Sequence, residues 1–362
     1  MKKMVRAAAL AGVVALALAA CGQAPEESGG DDAASPSESG SDFTGCMVTD
    51  AGGVDDRSFN AAAYAGLTSV EESEGIEVQL VESSADSDYA PNVAQLVQGD
   101  CGLIVTVGFL LATATAEAAE ANPEENFALI DSATEEPMDN VKPLLFNTAE
   151  AAFLAGYVAG GMTQTGTVAT FGGINIPSVS IFMDGFVDGV AAFNEARGTD
   201  VQVLGWDKEA QDGSFTGNFD DQNAGRQLTE NFIQQGADII LPVAGPVGLG
   251  AAAAAQETGG AVNLIWVDSD GFESASQFSS LFITSVLKQI DVAVQDATMA
   301  AIDGSFSSEP YVGTLENEGV GIAPYHDFEE AVPADLKEEV DALREQIISG
   351  ELVIESPSTP GS

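Results

Sequence analysis

The feature that most constrains the fold is a strict alternation of short apolar runs with helically spaced segments, completed once and then begun again. The first series has apolar runs opening at Cys46 and at Ile76–Val81, Leu103–Val107, Phe127–Ile130 and Val141–Phe146. Helical patterns intervene from about Ser58, through Tyr89–Val97, and in an Ala-rich stretch after Gly108. Runs that are continuously apolar, not alternating, describe strands buried on both faces, which is the condition of a parallel sheet covered by helices. Ala149–Gly161 reads as a small-residue helix leading out of this series. A second series follows, with strands at Thr167–Phe171, Val201–Leu204, Asp238–Val243 and Val262–Val267, and helices through Val179–Phe193 and Asn223–Gln234. The fold class is therefore α/β, with two doubly wound parallel-sheet lobes and a cleft between them. Late segments at Leu281–Val286, Tyr311–Leu315 and Val320–Ala323, with helices at Ile290–Ile302 and Pro333–Ile348, are what a chain recrossing between lobes shows. Several crossings make a hinge. The reading assigns 43–146 and 285–310 to lobe 1, 147–284 and 311–354 to lobe 2 and the hinge, and 355–362 to a loose Ser/Pro-rich tail.

Within the first series, Cys46 to Asn60 (CMVTDAGGVDDRSFN) is the most informative stretch. It reads as a buried strand, a turn loosened by Gly52-Gly53, and a helix start with Ser58 as N-cap. Open α/β sheets hold ligands at the carboxyl ends of their strands, which is where Asp50, Phe59 and Asn60 fall. Phe59 offers a stacking face and Asn60 an amide; equally, Phe59 plugs its own lobe.

The chain begins with Lys2, Lys3 and Arg6, then an apolar run Ala7–Ala20, then Cys21. That is an export signal over 1–20, too short to span a membrane as a helix. Cys after Leu18-Ala19-Ala20 resembles a bacterial lipobox, making Cys21 the lipidated first residue of the mature protein, anchored outside the cytoplasm. Residues 21–42 lack the apolar surface to order themselves and read as a tether. The sequence has 57 acidic and 11 basic residues, and three of the basic ones lie in the signal. Such a surface repels nucleic acid and phosphorylated ligands and favours a neutral or cationic one.

Six segments, in order, resemble the basic membrane protein family of lipoproteins, the substrate-binding components of ABC transporters. They are VTDAGGVDDRSFN (Val48–Asn60), ALIDS (Ala128–Ser132), FMDGFVDGV (Phe182–Val190), PVAGPVGLGA (Pro242–Ala251), WVDSD (Trp266–Asp270) and ITSVLK (Ile283–Lys288). The resemblance spans Cys46 to Ile354. It implies a type I periplasmic-binding-protein fold, a nucleoside ligand, purine above others, and delivery to a membrane permease by a monomer that uses no cofactor or metal.

Residue by residue, the resemblance places Phe59 and Phe215 as stacking faces and Asn60 and Asp131 at the base edge. It sets Asp268 and Lys288 on the ribose hydroxyls, carboxylate accepting and ammonium donating. Asp50 joins the ligand set, Phe186 closes the pocket from the second lobe, and Gly245 lets backbone approach. Other readings stand beside these. Asp131 and Asp268 also suit strand ends that cap the next helix, and Phe186 is at helical spacing with Phe182 and Phe193, as a core residue is. Where the family carries Asp-Gln this chain has Asp270-Gly271, which puts the identity of the nucleoside in question.

Two other functions compete: a sugar receptor of the same fold, and a surface enzyme acting on nucleosides. The chain has one histidine, His326 in APYHDF, and no metal-spaced His/Cys cluster, nucleophile elbow or phosphate loop. Carboxylates alone can perform glycosidic chemistry. With Cys21 taken by lipid, Cys46 and Cys101 remain. In a sheet ordered 2-1-3-4-5 they lie at the amino-terminal edge of adjacent strands, close enough for a disulfide in an exported protein. The other reading is two buried thiols.

Overall fold

The computed structural model describes residues 42–361. The signal, the Cys21 lipidation position and all but the last residue of the tether lie outside the described residues, as does Ser362.

The first sheet is built from β1 (Thr44–Ala51), β2 (Glu77–Ser83), β3 (Leu103–Val107), β4 (Phe127–Ile130) and β5 (Val141–Phe146). All are parallel, in the order β2-β1-β3-β4-β5. Between them run α1 (Phe59–Glu74), α2 (Asp86–Val97) and α3 (Ala112–Ala121). After β5 the chain enters α4 (Thr148–Met162) and the second lobe: β6 (Thr167–Gly172), α5 (Pro177–Arg197) and β7 (Gln202–Leu204). A small hairpin follows, β8 (Trp206–Asp207) with β9 (Asp212–Gly213), which the sequence pattern did not disclose. The lobe continues through α6 (Gln222–Gln234), β10 (Ile239–Val243), α7 (Val247–Glu257), β11 (Asn263–Asp268), the single turn α8 (Gly271–Ser274) and β12 (Phe282–Lys288). Five strands of its sheet run β7-β6-β10-β11-β12, again parallel, and a sixth, Val320–Ile322, joins β12 antiparallel at the edge. Last come α9 (Ile290–Ile302), β13 (Tyr311–Gly313), β14 (Val320–Ile322) and α10 (Ala334–Ile348).

The continuous apolar runs have the expected cause. Adjacent residues of one strand point to opposite faces, and both faces are covered. In β10, Ile239 and Leu241 join the core under α4 and α5, whereas Ile240 joins Phe232 and Val247 under α6 and α7. In lobe 1, Met47, Val105 and Val107 face one layer, and Cys46, Val48 and Ile104 the other. The small residues of α4 serve a close helix crossing with α5. A Cβ on Gly189 would sit 2.0 Å from the Phe153 carbonyl, and one on Gly156 would sit 2.2 Å from that of Phe186.

The lobe boundaries differ from the sequence expectation. The whole of β12 belongs to the second sheet, and β13 pairs in parallel with β5 in the first. Lobe 1 thus regains the chain at α9 and keeps it through Gly313, instead of holding 285–310. Apolar runs announce strands but not which sheet edge each will join. The three crossings are bonded to one another: Asn147 N–H donates to the Gly313 carbonyl (2.8 Å) and Gln289 N–H to that of Gly319 (3.0 Å).

Two further local expectations change. Ser58 occupies the N-cap position of α1, but its side chain caps nothing. The Asp56 carboxylate performs that task, accepting from the N–H groups of Ser58 (3.0 Å), Asn60 (2.7 Å) and Ala61 (2.9 Å). The tail is docked, not loose. Ser356 is 8 % exposed and donates to Asp184 Oδ2 at 2.6 Å, while the Glu355 carbonyl accepts from Lys208 Nζ at 2.6 Å. Composition signals disorder only where no partner waits, and here the fully buried Asp184 is that partner. Cys46 and Cys101 are joined as a disulfide with Cα atoms 5.8 Å apart, at the edge opposite the ligand loops.

Candidate functional site: a cleft at the carboxyl ends of both sheets

The two sheets aim the carboxyl ends of their strands at one cleft, and equivalent positions in the two lobes supply equivalent parts. Gly108 follows β3 and Gly245 follows β10, both at positive φ (111° and 53°). Asp131 follows β4 and Asp268 ends β11, both in the left-handed region (φ 61° and 67°). An aspartate held there costs about 1 kcal/mol or more. The arrangement around Lys288 over-determines it.

Lys288, at the end of β12, is 4 % exposed. Its Nζ lies 2.5 Å from Asp131 Oδ2 in lobe 1 and 3.5 Å from Asp268 Oδ1 in lobe 2. The rings of Phe59, Phe146 and Phe182 stand 4.8, 5.5 and 5.5 Å from the ammonium, close enough to solvate a cation by their faces. Burial alone would neutralise such a lysine, and it is the largest single influence. The two carboxylates together outweigh it, so its pKa is held above the usual lysine value. Ser58 Oγ donates to Asp268 Oδ2 at 2.7 Å and to the Val267 carbonyl at 3.2 Å. This is why Ser58 is not free to cap α1. The lobes are thus joined across the cleft by an ion pair and a charge-assisted hydrogen bond.

On the wall opposite Lys288's lobe, Asn60 Nδ2 donates to Asp50 Oδ1 at 2.8 Å. Burial pushes the Asp50 carboxyl up to about 8; the Asn60 bond opposes this, and Asp56, Asp131 and Asp268 add to it. At neutral pH Asp50 therefore carries its proton for most of the time. Asn60 Oδ1 is buried without a hydrogen-bond partner among the described residues. Side by side, these two offer one donor and one acceptor, the pairing a heterocyclic base edge requires.

Of the sequence-derived site residues, Asp50, Phe59, Asn60, Asp131, Gly245, Asp268 and Lys288 line this cleft. Phe186 and Phe215 do not. Phe186 is fully buried between α4 and α5, and the residue one helical turn earlier, Phe182, faces the cleft. Phe215 packs edge-on against Trp206 (5.9 Å), and Phe219 takes the position at the cleft. Helical spacing admits either phenylalanine of α5, and only the α4 crossing selects between them. Phe215 lies just past the unforeseen hairpin, where no periodicity indexes the loop. Sequence reasoning also passed over Asp56, Phe109, Leu110, Val179 and Pro246, which line the cleft too. The acidic pair Asp55-Asp56 was the available signal for the first. The Asp270-Gly271 departure has a steric reason: a Cβ on Gly271 would meet the Trp266 side chain at 2.7 Å. Asp270 pairs with His326 (2.6 Å) outside the cleft lining.

Comparison with known proteins agrees with this geometry. The family described as ABC transporter substrate-binding protein PnrA-like matches residues 43–358. An uncharacterized lipoprotein of Pyrococcus abyssi is 29% identical over 86% of this chain and 84% of its own. The ABC transporter nucleoside-binding protein BmpA of Lactococcus lactis is 28% identical over 87% of this chain and 90% of its own. Among solved structures, an ABC transporter solute-binding protein of Aeropyrum pernix superposes with a TM-score of 0.79 at 28% identity, covering 87% of this chain and 94% of that one. The family and its structural neighbours are solute-binding proteins, not enzymes, of the type I periplasmic-binding fold, and ABC substrate-binding proteins pair with membrane permease components. Among the described residues no helix is long and apolar enough to cross a membrane. The chain belongs to the PnrA-like family of ABC transporter substrate-binding proteins.

Proposed function

We propose that the protein captures nucleosides, purine nucleosides foremost, and holds them in the interlobe cleft while anchored through Cys21 outside the cytoplasm. The observation that carries this reading is the pairing of two chemistries in one cleft. Protonated Asp50 and the unpartnered Asn60 oxygen form a donor–acceptor edge beside the Phe59 ring, and Asp268 with Lys288 forms a carboxylate–ammonium pair. A flat base stacks on the first, and neighbouring ribose hydroxyls suit the second. Among the described residues Lys288 is the one cation lining the cleft, against four carboxylates, Asp50, Asp56, Asp131 and Asp268. With carboxylates outnumbering the single ammonium, a phosphate is repelled there.

The cleft as it stands encloses about 60 Å³, room for roughly five waters. Ligand entry therefore requires the lobes to part about the three crossings, breaking the Asp131–Lys288 contact. The ligand's hydroxyls then take over the freed charges as the lobes close. Calorimetry with adenosine, guanosine, inosine, uridine and their monophosphates, with arabinose as control, tests the reading. Nucleosides bind and monophosphates do not. Arabinose binding without nucleoside binding, or equal affinity for a nucleoside and its monophosphate, would overturn it.

A further inference from the structure

The turn between β1 and α1 meets lobe 2 with its backbone as well as with Ser58. Asp56, 2 % exposed, fixes this turn to lobe 1 by accepting three N–H groups at the start of α1. Arg57 follows at φ 61°, in the left-handed region that favours glycine. Its carbonyl accepts from Ser269 Oγ at 3.1 Å and, more weakly, from Trp266 Nε1 at 3.4 Å. Ser58 adds its bonds to Asp268 Oδ2 and the Val267 carbonyl. Four consecutive residues of lobe 2, Trp266 to Ser269, are thus bonded to two of lobe 1.

Arg57, Ser58, Trp266 and Ser269 lie outside the cleft lining, so these bonds run from protein to protein and not to a ligand. The turn is tied to α1, and its partners end β11, an interior strand of the second sheet. Parting the lobes must therefore break the bonds, and making them favours closure whatever the cleft holds. Ser58 does a second thing. By taking Asp268 Oδ2 it fixes the carboxylate with Oδ1 toward Lys288.

We propose that the Asp56–Ser58 turn is a closure latch, and that Ser58 and Ser269 are positioning residues that set how long a captured ligand stays without touching it. The inference does not depend on the ligand being a nucleoside. Bonds made only between closed lobes are absent while a ligand enters the open cleft, so they slow release and leave capture unchanged. The strained backbone of Arg57 persists because Asp56 holds the turn from one side and two lobe-2 donors from the other.

The test is stopped-flow tryptophan fluorescence on the mature protein with inosine, comparing wild type, Ser269→Ala and Ser274→Ala. Trp266 donates across the seam, so its emission reports closure. Ser269 Oγ also bonds Ser274 Oγ (3.0 Å) within lobe 2, and Ser274→Ala removes that local bond alone. Ser269→Ala speeds release about threefold to tenfold, the worth of one neutral hydrogen bond, while capture stays within about twofold. Ser274→Ala keeps both rates within about twofold. Ser58→Ala, which loses a charge-assisted bond, releases faster still. Equal changes in Ser269→Ala and Ser274→Ala, or slower capture with release unchanged, overturn the latch. Failure of inosine to bind counts against the nucleoside reading alone, and small-angle X-ray scattering then reads the latch without a ligand. Ser58→Ala/Ser269→Ala has a larger radius of gyration than wild type, and identical scattering overturns the latch.

Discussion

Lys288→Met tests the electrostatic design of the cleft most directly. The substitution keeps length and apolar stem but deletes the ammonium that lies 2.5 Å from Asp131 and 3.5 Å from Asp268. Exposure at 4 % leaves water little access to replace it. Removing one partner of a buried ion pair costs about 3–5 kcal/mol, because the charges left behind remain desolvated. For a chain of this size each kcal/mol moves Tm by roughly 2–4 °C, so a fall of roughly 6 °C or more is expected near pH 8. The penalty at Asp131 belongs to its ionised form, so it shrinks as pH falls and that carboxylate takes up a proton. Burial already raises the Asp131 carboxyl against the opposing ammonium, so deleting Lys288 raises it further, and stability is lost as pH rises through its folded value. In wild type the raised lysine pKa has its own window: the stabilisation is fully present below the ordinary lysine value of 10.5 and is lost only at more alkaline pH. Thermal unfolding followed by circular dichroism from about pH 5 to pH 9 measures both curves, and Lys288→Met/Asp131→Asn should recover part of the loss. A Tm for Lys288→Met within about 1 °C of wild type across that range would refute the reasoning.

Asp50 behaves in the same sense as the stranded Asp131 carboxylate. Its pKa is raised from 3.8 to about 8, so wild-type stability contributed by its protonated form is complete below the unfolded value and is lost as pH rises through the folded one. Asp50→Asn should flatten the fall in Tm between about pH 5 and pH 8, and an unchanged slope counts against a protonated Asp50. Phe182→Ala should weaken nucleoside binding several-fold while Phe215→Ala leaves it nearly unchanged, measured by calorimetry; the reverse order would restore the resemblance-based assignment. Cys46→Ala/Cys101→Ala should lower stability by about 2–5 kcal/mol in denaturant titration, and thiol counting on unreduced, denatured mature protein should find neither Cys46 nor Cys101 free. Asp268→Ala should weaken nucleosides by roughly 2–5 kcal/mol and free bases far less, and equal losses would contradict a ribose role.

The order of elements, the two parallel lobes and most of the cleft's charged residues were determined by the sequence itself, because their causes are local. A run such as Leu103–Val107 can only be buried on both faces, a parallel sheet with covered faces follows, and strand ends then place Asp50, Asp131 and Asp268 together. The disulfide follows from the same topology, since strand order makes Cys46 and Cys101 neighbours. Only tertiary structure decided what depends on partners distant in the chain. Ser58 serves Asp268, 210 residues away, leaving Asp56 to cap α1, and no local pattern carries that exchange. The choice of Phe182 over Phe186 is made by α4 pressing on α5, and the register of Phe219 by a two-strand hairpin without periodicity. The tail reads as disordered by composition and is ordered by one carboxylate on α5, Asp184. Hydrophobic periodicity records which face of an element is buried; it holds no record of which polar group waits on the other side, because that pairing is set by the packing of elements far apart in sequence.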